Sequence, residues 1–201
     1  MSIDTAKQIN KRLVECDYNQ AITIAGFGEP LLHKNIHTIV YTITQNISPT
    51  SVTLITNGDR LTRPIADKLV EAGITKFKIS MYDKDDEEYF TGLLKGYELQ
   101  CMHYYTGVYS EVNRVEMFSH PLTYNWTRPC NLPSYKLFLD WNGIGILCSN
   151  DWNKTVQIGN VFDHTLEEIW NSDTMVKYRE MLTTGRKMLP CATCTIDGMK
   201  I

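Results

Sequence analysis

The 201-residue sequence predicts an α/β fold of parallel strands joined by crossover helices, followed by a small cysteine-rich module of a β-hairpin plus helix. Three observations carry this. Helical periodicity alternates with short β-branched runs through the first half of the chain. Glycine, proline and asparagine punctuation follows the ends of those runs. Four of the six cysteines fall late, at Cys130, Cys148, Cys191 and Cys194.

The elements follow in order. Ile3 to Val14 places Ile3, Ala6, Ile9 and Leu13 at helical spacing. AITIA, Ala21 to Ala25, is a short strand bounded by Gly26, Gly28 and Pro30. Asn35 to Thr44 is a helix with Ile36, Ile39, Val40 and Ile43 on one face. SVTLI, Ser51 to Ile55, is a buried strand running into Thr56-Asn57-Gly58. Pro64 to Ala72 is a helix with proline near its first turn and Gly73 just past its end. Lys76 to Met81 is a third strand, Asp85 to Leu94 a helix, and Tyr97 to Tyr105 a fourth strand. From about Gly107 the pattern turns irregular. Tyr135 to Asp140 and Ile144 to Cys148 then form a hairpin about Trp141-Asn142-Gly143. Leu166 to Trp170 and Met175 to Leu182 are helical. In parallel sheets and barrels the ligand sits at the carboxyl ends of the strands. GFGEP, TNG and SMYD all fall at such ends.

Composition narrows the function. The chain is 43% hydrophobic and 21% charged, enough for a buried core. A net charge of −3 with no basic stripe argues against nucleic acid as a partner. No apolar run approaches the ~20 residues of a membrane span, so no membrane partner is expected. Met1-Ser2-Ile3-Asp4 opens directly into a helical pattern without a signal peptide, so a cytoplasmic location is expected. In a reducing compartment clustered cysteines serve as metal ligands or catalytic groups rather than disulfides. The late set reads as cysteine, twelve residues, Gly143, four residues, cysteine, and then C-A-T-C. Four soft thiolates suit an iron–sulfur cluster or a structural zinc, and spacing alone leaves both open.

GFGEPLL and TLITNG resemble segments of the radical S-adenosylmethionine (SAM) superfamily, whose partial (β/α) barrel carries a GGEP-like loop after its second strand. Phe27 stands where the first of two consecutive glycines is usual. The resemblance implies that Gly28, Glu29 and Pro30 hold the methionyl amino group of SAM. Asn57 and Ser80, at the next two strand ends, are candidates for its carboxylate and ribose. Helix capping or turn hydrogen bonding is the other reading of those two residues. The late cysteines, with IGNVFDHTLEEIWNSD, resemble the twitch and SPASM extensions of the same superfamily. That implies an auxiliary [4Fe-4S] cluster on Cys130, Cys148, Cys191 and Cys194. SPASM members continue with further cysteines, so twitch is the nearer expectation.

The resemblance covers nearly the whole chain and implies domains at 1–106 (partial barrel), 107–128 (linker) and 129–201 (auxiliary cluster module). An intact relative generates a 5′-deoxyadenosyl radical that abstracts a substrate hydrogen, with the auxiliary cluster aiding oxidation or substrate binding. It draws electrons from a reductant such as flavodoxin or ferredoxin. The defining C-x3-C-x2-C loop is absent from this sequence. An N-terminal truncation is the expectation, with a missing segment or partner chain as the source of that loop. The chain alone is then not expected to cleave SAM. The alternative is a non-catalytic iron–sulfur or zinc module, or half of a split enzyme. The substrate is not identified. Cys16 and Cys101 are expected as small packing residues and His103 as a pocket-lining residue, while Asp83 and Asp85 to Glu88 read as a solvated loop and helix start.

Overall fold

A computed structural model describes residues 1–103 and 128–194. The expected linker at 107–128 lies outside the described residues except for Arg128, as does the end of the fourth expected strand at Tyr104 and Tyr105. The chain divides into two compact units, Met1–Ser110 and Glu111–Ile201.

The first unit alternates helix and strand. Helix α1 spans Ile3–Glu15 and begins where the Ser2 hydroxyl accepts the Thr5 N–H. Strand β1 is Ile22–Ile24, α2 is Ile36–Thr44, and β2 is Val52–Thr56. Helix α3 is Arg63–Glu71, β3 is Lys76–Met81, α4 is Asp86–Leu93, and β4 is Glu98–His103. The strands form one wholly parallel sheet in the order β1-β2-β3-β4. Sequential neighbours joined by helices give that order, because a parallel pair needs a long crossover. Among the described residues β1 pairs only with β2, so the sheet is an open four-stranded one.

The two faces of this sheet differ. Val52, Leu54, Phe77, Ile79 and Met81 share one face and pack with Ala66, Leu69 and Phe90 from the helices into a single buried cluster. The period of two sends Thr53, Ile55, Lys78, Ser80, Gln100 and Met102 to the other face. That face is polar and partly open, and it runs toward the strand ends that carry GFGEP and TNG.

Gly58 ends the TNG turn with φ +84°, and a Cβ there would lie 2.2 Å from the Phe90 ring. Left-handed backbone costs an alanine about 1–2 kcal/mol, and overpacking a fixed ring adds about 1–3 kcal/mol. Gly58→Ala is therefore expected to destabilise the chain by several kcal/mol. A urea melt showing less than about 1 kcal/mol, the ordinary effect of a surface change, contradicts this packing.

The second unit holds an antiparallel sheet of β5 (Phe138–Leu139), β6 (Ile144–Ile146) and β7 (Gln157–Asn160). The expected hairpin is present, with shorter strands. The third strand was not expected, although Val156 and Ile158 are buried on either side of an exposed Gln157. Its alternation is short, and Gly159 (φ +146°) interrupts it. Helix α5 (Leu166–Trp170) starts on a reciprocal capping box between Thr165 and Glu168. Helix α6 (Asp173–Thr184) follows from a Ser172 cap. A single 3-10 turn, Cys191–Thr193, carries the last cysteine pair. Among the described residues no helix is long and apolar enough to cross a membrane.

Candidate functional site

In the second unit all four late cysteines line one cavity, together with Leu132, Pro133, Asn150, Leu182, Arg186 and Pro190. Local hydrogen bonds place each thiol. The Cys130 N–H donates to the Leu182 carbonyl at 3.0 Å, which joins the first cysteine to the end of α6. Cys148 leaves β6 into a loop held by the buried Asp151 carboxylate. That carboxylate accepts from the Thr155 N–H at 3.0 Å, the Thr155 hydroxyl at 2.8 Å and the Val156 N–H at 2.9 Å. On the far side of the hairpin the buried Asp140 carboxylate accepts from the Asn142 and Ile144 N–H groups and from Lys154 Nζ at 2.6 Å. Cys191 and Cys194 sit across one 3-10 turn, with the Cys194 N–H on the Cys191 carbonyl at 3.1 Å.

All six cysteines are free thiols. Burial, the chief cause, pushes the Cys148 thiol up to about 12, with a further rise from Cys194. Burial pushes Cys191 up as well, and the charges of Cys148, Cys194 and Cys130 add to it while Arg186 opposes them. Four thiolates crowded in an apolar cavity need a cationic centre to hold their charge, so loading releases protons. Zinc with ~2.3 Å bonds sets its four sulfurs roughly 3.8 Å apart. Among the described residues the single group of three His, Cys, Asp or Glu ligand atoms within 4.8 Å of one another contains none of these four cysteines. The donor set alone leaves zinc and a multi-iron cluster both open.

In the first unit Glu29 joins two of the strand-end loops. It caps the 3-10 turn Pro30–Leu32, accepting the Leu31 N–H at 2.8 Å. Its carboxylate also accepts the Thr56 hydroxyl at 2.5 Å and the Asn57 N–H at 2.9 Å. The Thr56 hydroxyl oxygen in turn accepts the Gly58 N–H at 3.1 Å. Gly28 is exposed, and a Cβ on it or on Gly26 would meet nothing within 4 Å, so the backbone of this loop faces open space. Asn57 closes its own turn, donating to Asp59 Oδ2 at 2.9 Å and accepting the Asp59 N–H at 3.1 Å. Ser80 is buried near the end of β3, on the polar face and in register with Met102.

Residues 130–195 match the SPASM family, described as an iron–sulfur cluster-binding domain. Over 188 residues the chain is 27% identical to an S-adenosyl-L-methionine-dependent 2-deoxy-scyllo-inosamine dehydrogenase from Niallia circulans, covering 90% of this chain and 74% of that relative. The chain is a radical SAM homologue with a SPASM-like domain. Solved structures agree. BtrN in complex with AdoMet and 2-DOIA matches with a TM-score of 0.82 at 25% identity, over 98% of this chain and 80% of that one. BtrN in an open conformation matches at 0.76 and 25% identity over the same shares. AdoMet-bound anSMEcpe matches at 0.63 and 12% identity, over 93% of this chain and 81% of that one, which is a likeness of fold alone.

With the SPASM-like domain assigned to 130–195, several residues gain a place that sequence reasoning did not give them. Arg186 is 1% exposed and lines the cysteine cavity. Asp140, Asp151 and Thr56 are likewise buried polar anchors. A fully buried arginine cannot be told from a surface one by periodicity, since Arg186 lies outside any helix. Glu29, expected to face the ligand, has a carboxylate engaged by three donors of its own chain. Its carbonyl and that of Pro30 accept the Leu32 and His33 N–H groups, which leaves the exposed Gly26 and Gly28 to offer backbone acceptors. Glu29→Ala would leave the Leu31 and Asn57 N–H groups and the Thr56 hydroxyl without this acceptor. The expected cost is about 1–3 kcal/mol, with weakened SAM binding, read by thermal melts and calorimetry. Unchanged melting would mean that Glu29 does not hold the loops together.

Proposed function

We propose that this chain is the SAM-binding sheet and auxiliary-cluster module of a radical SAM oxidoreductase that oxidises a small polar substrate. The four late cysteines converging on one apolar cavity carry the reading. Their donor set suits a [4Fe-4S] cluster bound by Cys130, Cys148, Cys191 and Cys194, in a twitch-like arrangement with one cluster. When bound, such a cluster and SAM supply one-electron transfer and radical hydrogen abstraction. The residues of this chain do the rest. Gly26 and Gly28 offer backbone acceptors to an ammonium, Asn57 and Ser80 stand at the neighbouring strand ends, and Glu29 keeps the two loops in register. Lys78, Ser80 and Gln100 on the polar face suit hydrogen bonding to a hydroxylated substrate, in keeping with the dehydrogenase relative.

A second reading is favoured by one observation. The six cysteines include no C-x3-C-x2-C spacing. Alone, the chain lacks three thiolates for a SAM-cleaving cluster, so cleavage needs a loop supplied from outside these 201 residues. Without that loop the protein is a one-cluster iron–sulfur module.

The test is anaerobic reconstitution with iron and sulfide, followed by metal and sulfide analysis, EPR, and calorimetric titration with SAM. About four irons and four sulfides per chain, together with SAM binding but no cleavage, support the first reading. A cluster without SAM binding supports the module. Zinc alone, or no metal, removes both cluster readings.

A further inference from the structure

Outside the late cysteine cavity a second group of metal-binding side chains converges in the first unit. Cys101 and His103 lie two residues apart on β4 and so share one face of the sheet. Register pairs them with Ile79 and Met81, both fully buried, which places them on the helix-covered face rather than the polar one. Cys101 packs at the edge of the apolar cluster. Helix α4 begins over this strand end. The Asp86 carboxylate accepts the Tyr82 and Asp83 N–H groups, each at 3.0 Å, which fixes the first turn. Glu87, the next residue, then reaches the β4 end. Its Oε2 stands 3.7 Å from His103 Nδ1.

One ligand atom each from Glu87, Cys101 and His103 lies within 4.8 Å of the other two. We propose that these three residues form a second metal site, separate from the cysteine cavity, for a borderline-soft divalent cation such as zinc(II).

The donor chemistry selects that class. A thiolate and an imidazole disfavour calcium and magnesium, which take oxygen ligands. Tetrahedral zinc with bonds of ~2.0–2.3 Å spaces its ligand atoms roughly 3.3–3.8 Å apart. The three atoms close to that spacing by small side-chain rotations, with the exposed Glu87 moving most. An ion pair alone explains the arrangement less well. At 3.7 Å the His103–Glu87 contact is longer than a hydrogen bond. A surface pair is worth little, and it gives the thiol beside it no role. Three protein ligands leave a fourth position for solvent or an exchangeable ligand, the open form of a zinc site. The sequence hides this site because Glu87 joins the other two only through the packing of α4 on β4. The site stands apart from the cluster reading, since none of its residues belongs to the late cysteine set.

The test uses the full chain after anaerobic iron–sulfur reconstitution, given one equivalent of zinc(II) and passed over a weak chelator. Zinc is counted by mass spectrometry and its ligands are read by zinc K-edge X-ray absorption, which does not see iron. The expected result is one zinc per chain with a single sulfur among nitrogen and oxygen neighbours. Cys101→Ser and His103→Ala are each expected to weaken binding by at least about tenfold, the loss that outer-shell changes alone produce. Iron and sulfide counts and circular dichroism should stay unchanged in both variants. Glu87→Gln should weaken binding less. Zinc retained by both variants, zinc ringed by sulfur alone, or no zinc overturns the proposal. Failure of the cluster reading shows separately, as absent iron and sulfide.

Discussion

Replacing Cys191 and Cys194 together by alanine is expected to abolish cluster loading, with iron and sulfide falling from about four each per chain to near zero. Both residues belong to one 3-10 turn, and together they supply half the thiolates of the cavity. Two remaining cysteines, Cys130 and Cys148, cannot hold a four-iron core. The loss should also appear as stability, because a group bound only by the folded chain adds its binding free energy to folding. Reconstituted wild type should therefore melt well above its metal-free form, and the double variant should show no such gap. Cys16→Ala is the matched control. Cys16 is exposed at the end of α1, where its thiol donates to the Leu13 carbonyl at 3.4 Å. It should load as wild type does. Full iron content in the Cys191/Cys194 variant would place the cluster elsewhere.

Arg186→Met is expected to lower the midpoint potential of the bound cluster, while Arg186→Lys stays near wild type. Among the described residues Arg186 is the only charged side chain lining the cavity. Its Nη1 donates to the Cys194 carbonyl at 2.6 Å and its Nη2 to the Pro129 carbonyl at 3.5 Å, so it ties the last cysteine to the residue preceding the first. A thiolate-ligated cluster is anionic and gains a further negative charge on reduction. A cation fixed in low dielectric favours the reduced form, and net charge and hydrogen bonding are the terms that set such potentials. The variant also forfeits charge-assisted hydrogen bonds worth about 1.5–3 kcal/mol. Melting and potential separate the two roles: a purely structural arginine would change the first and leave the second alone. EPR-monitored redox titration of the three proteins decides it. Equal potentials in the methionine and lysine variants would show that the charge is not felt by the cluster.

Much of the fold is legible in the sequence. The Lys76–Met81 and Leu166–Trp170 elements match residue for residue, and the other expected elements that lie within the described residues differ only at their ends. These segments carry clean periodicity and strong punctuation, and local sequence sets both. Strand β7 was missed because its alternation spans four residues and contains two that a strand disfavours, Gly159 and Asn160. The cysteine set was legible because ligand type and spacing are themselves a sequence pattern. Asn57 illustrates the opposite case. Its position at a strand end leaves two readings, a ligand contact or turn hydrogen bonding, and only the folded chain shows its amide bonded to Asp59 within the turn.

The sequence by itself determined the parallel α/β order, the punctuated strand ends and the four late thiols, because period, turn chemistry and ligand identity are properties of neighbouring residues. Only the tertiary structure decided which partners those residues meet. It put Glu29 between two loops, buried Arg186 beside four cysteines, and brought Glu87 to Cys101 and His103. Each of these contacts joins residues from different elements through packing and dielectric environment. Such terms depend on where the chain returns in space, and no local pattern records them.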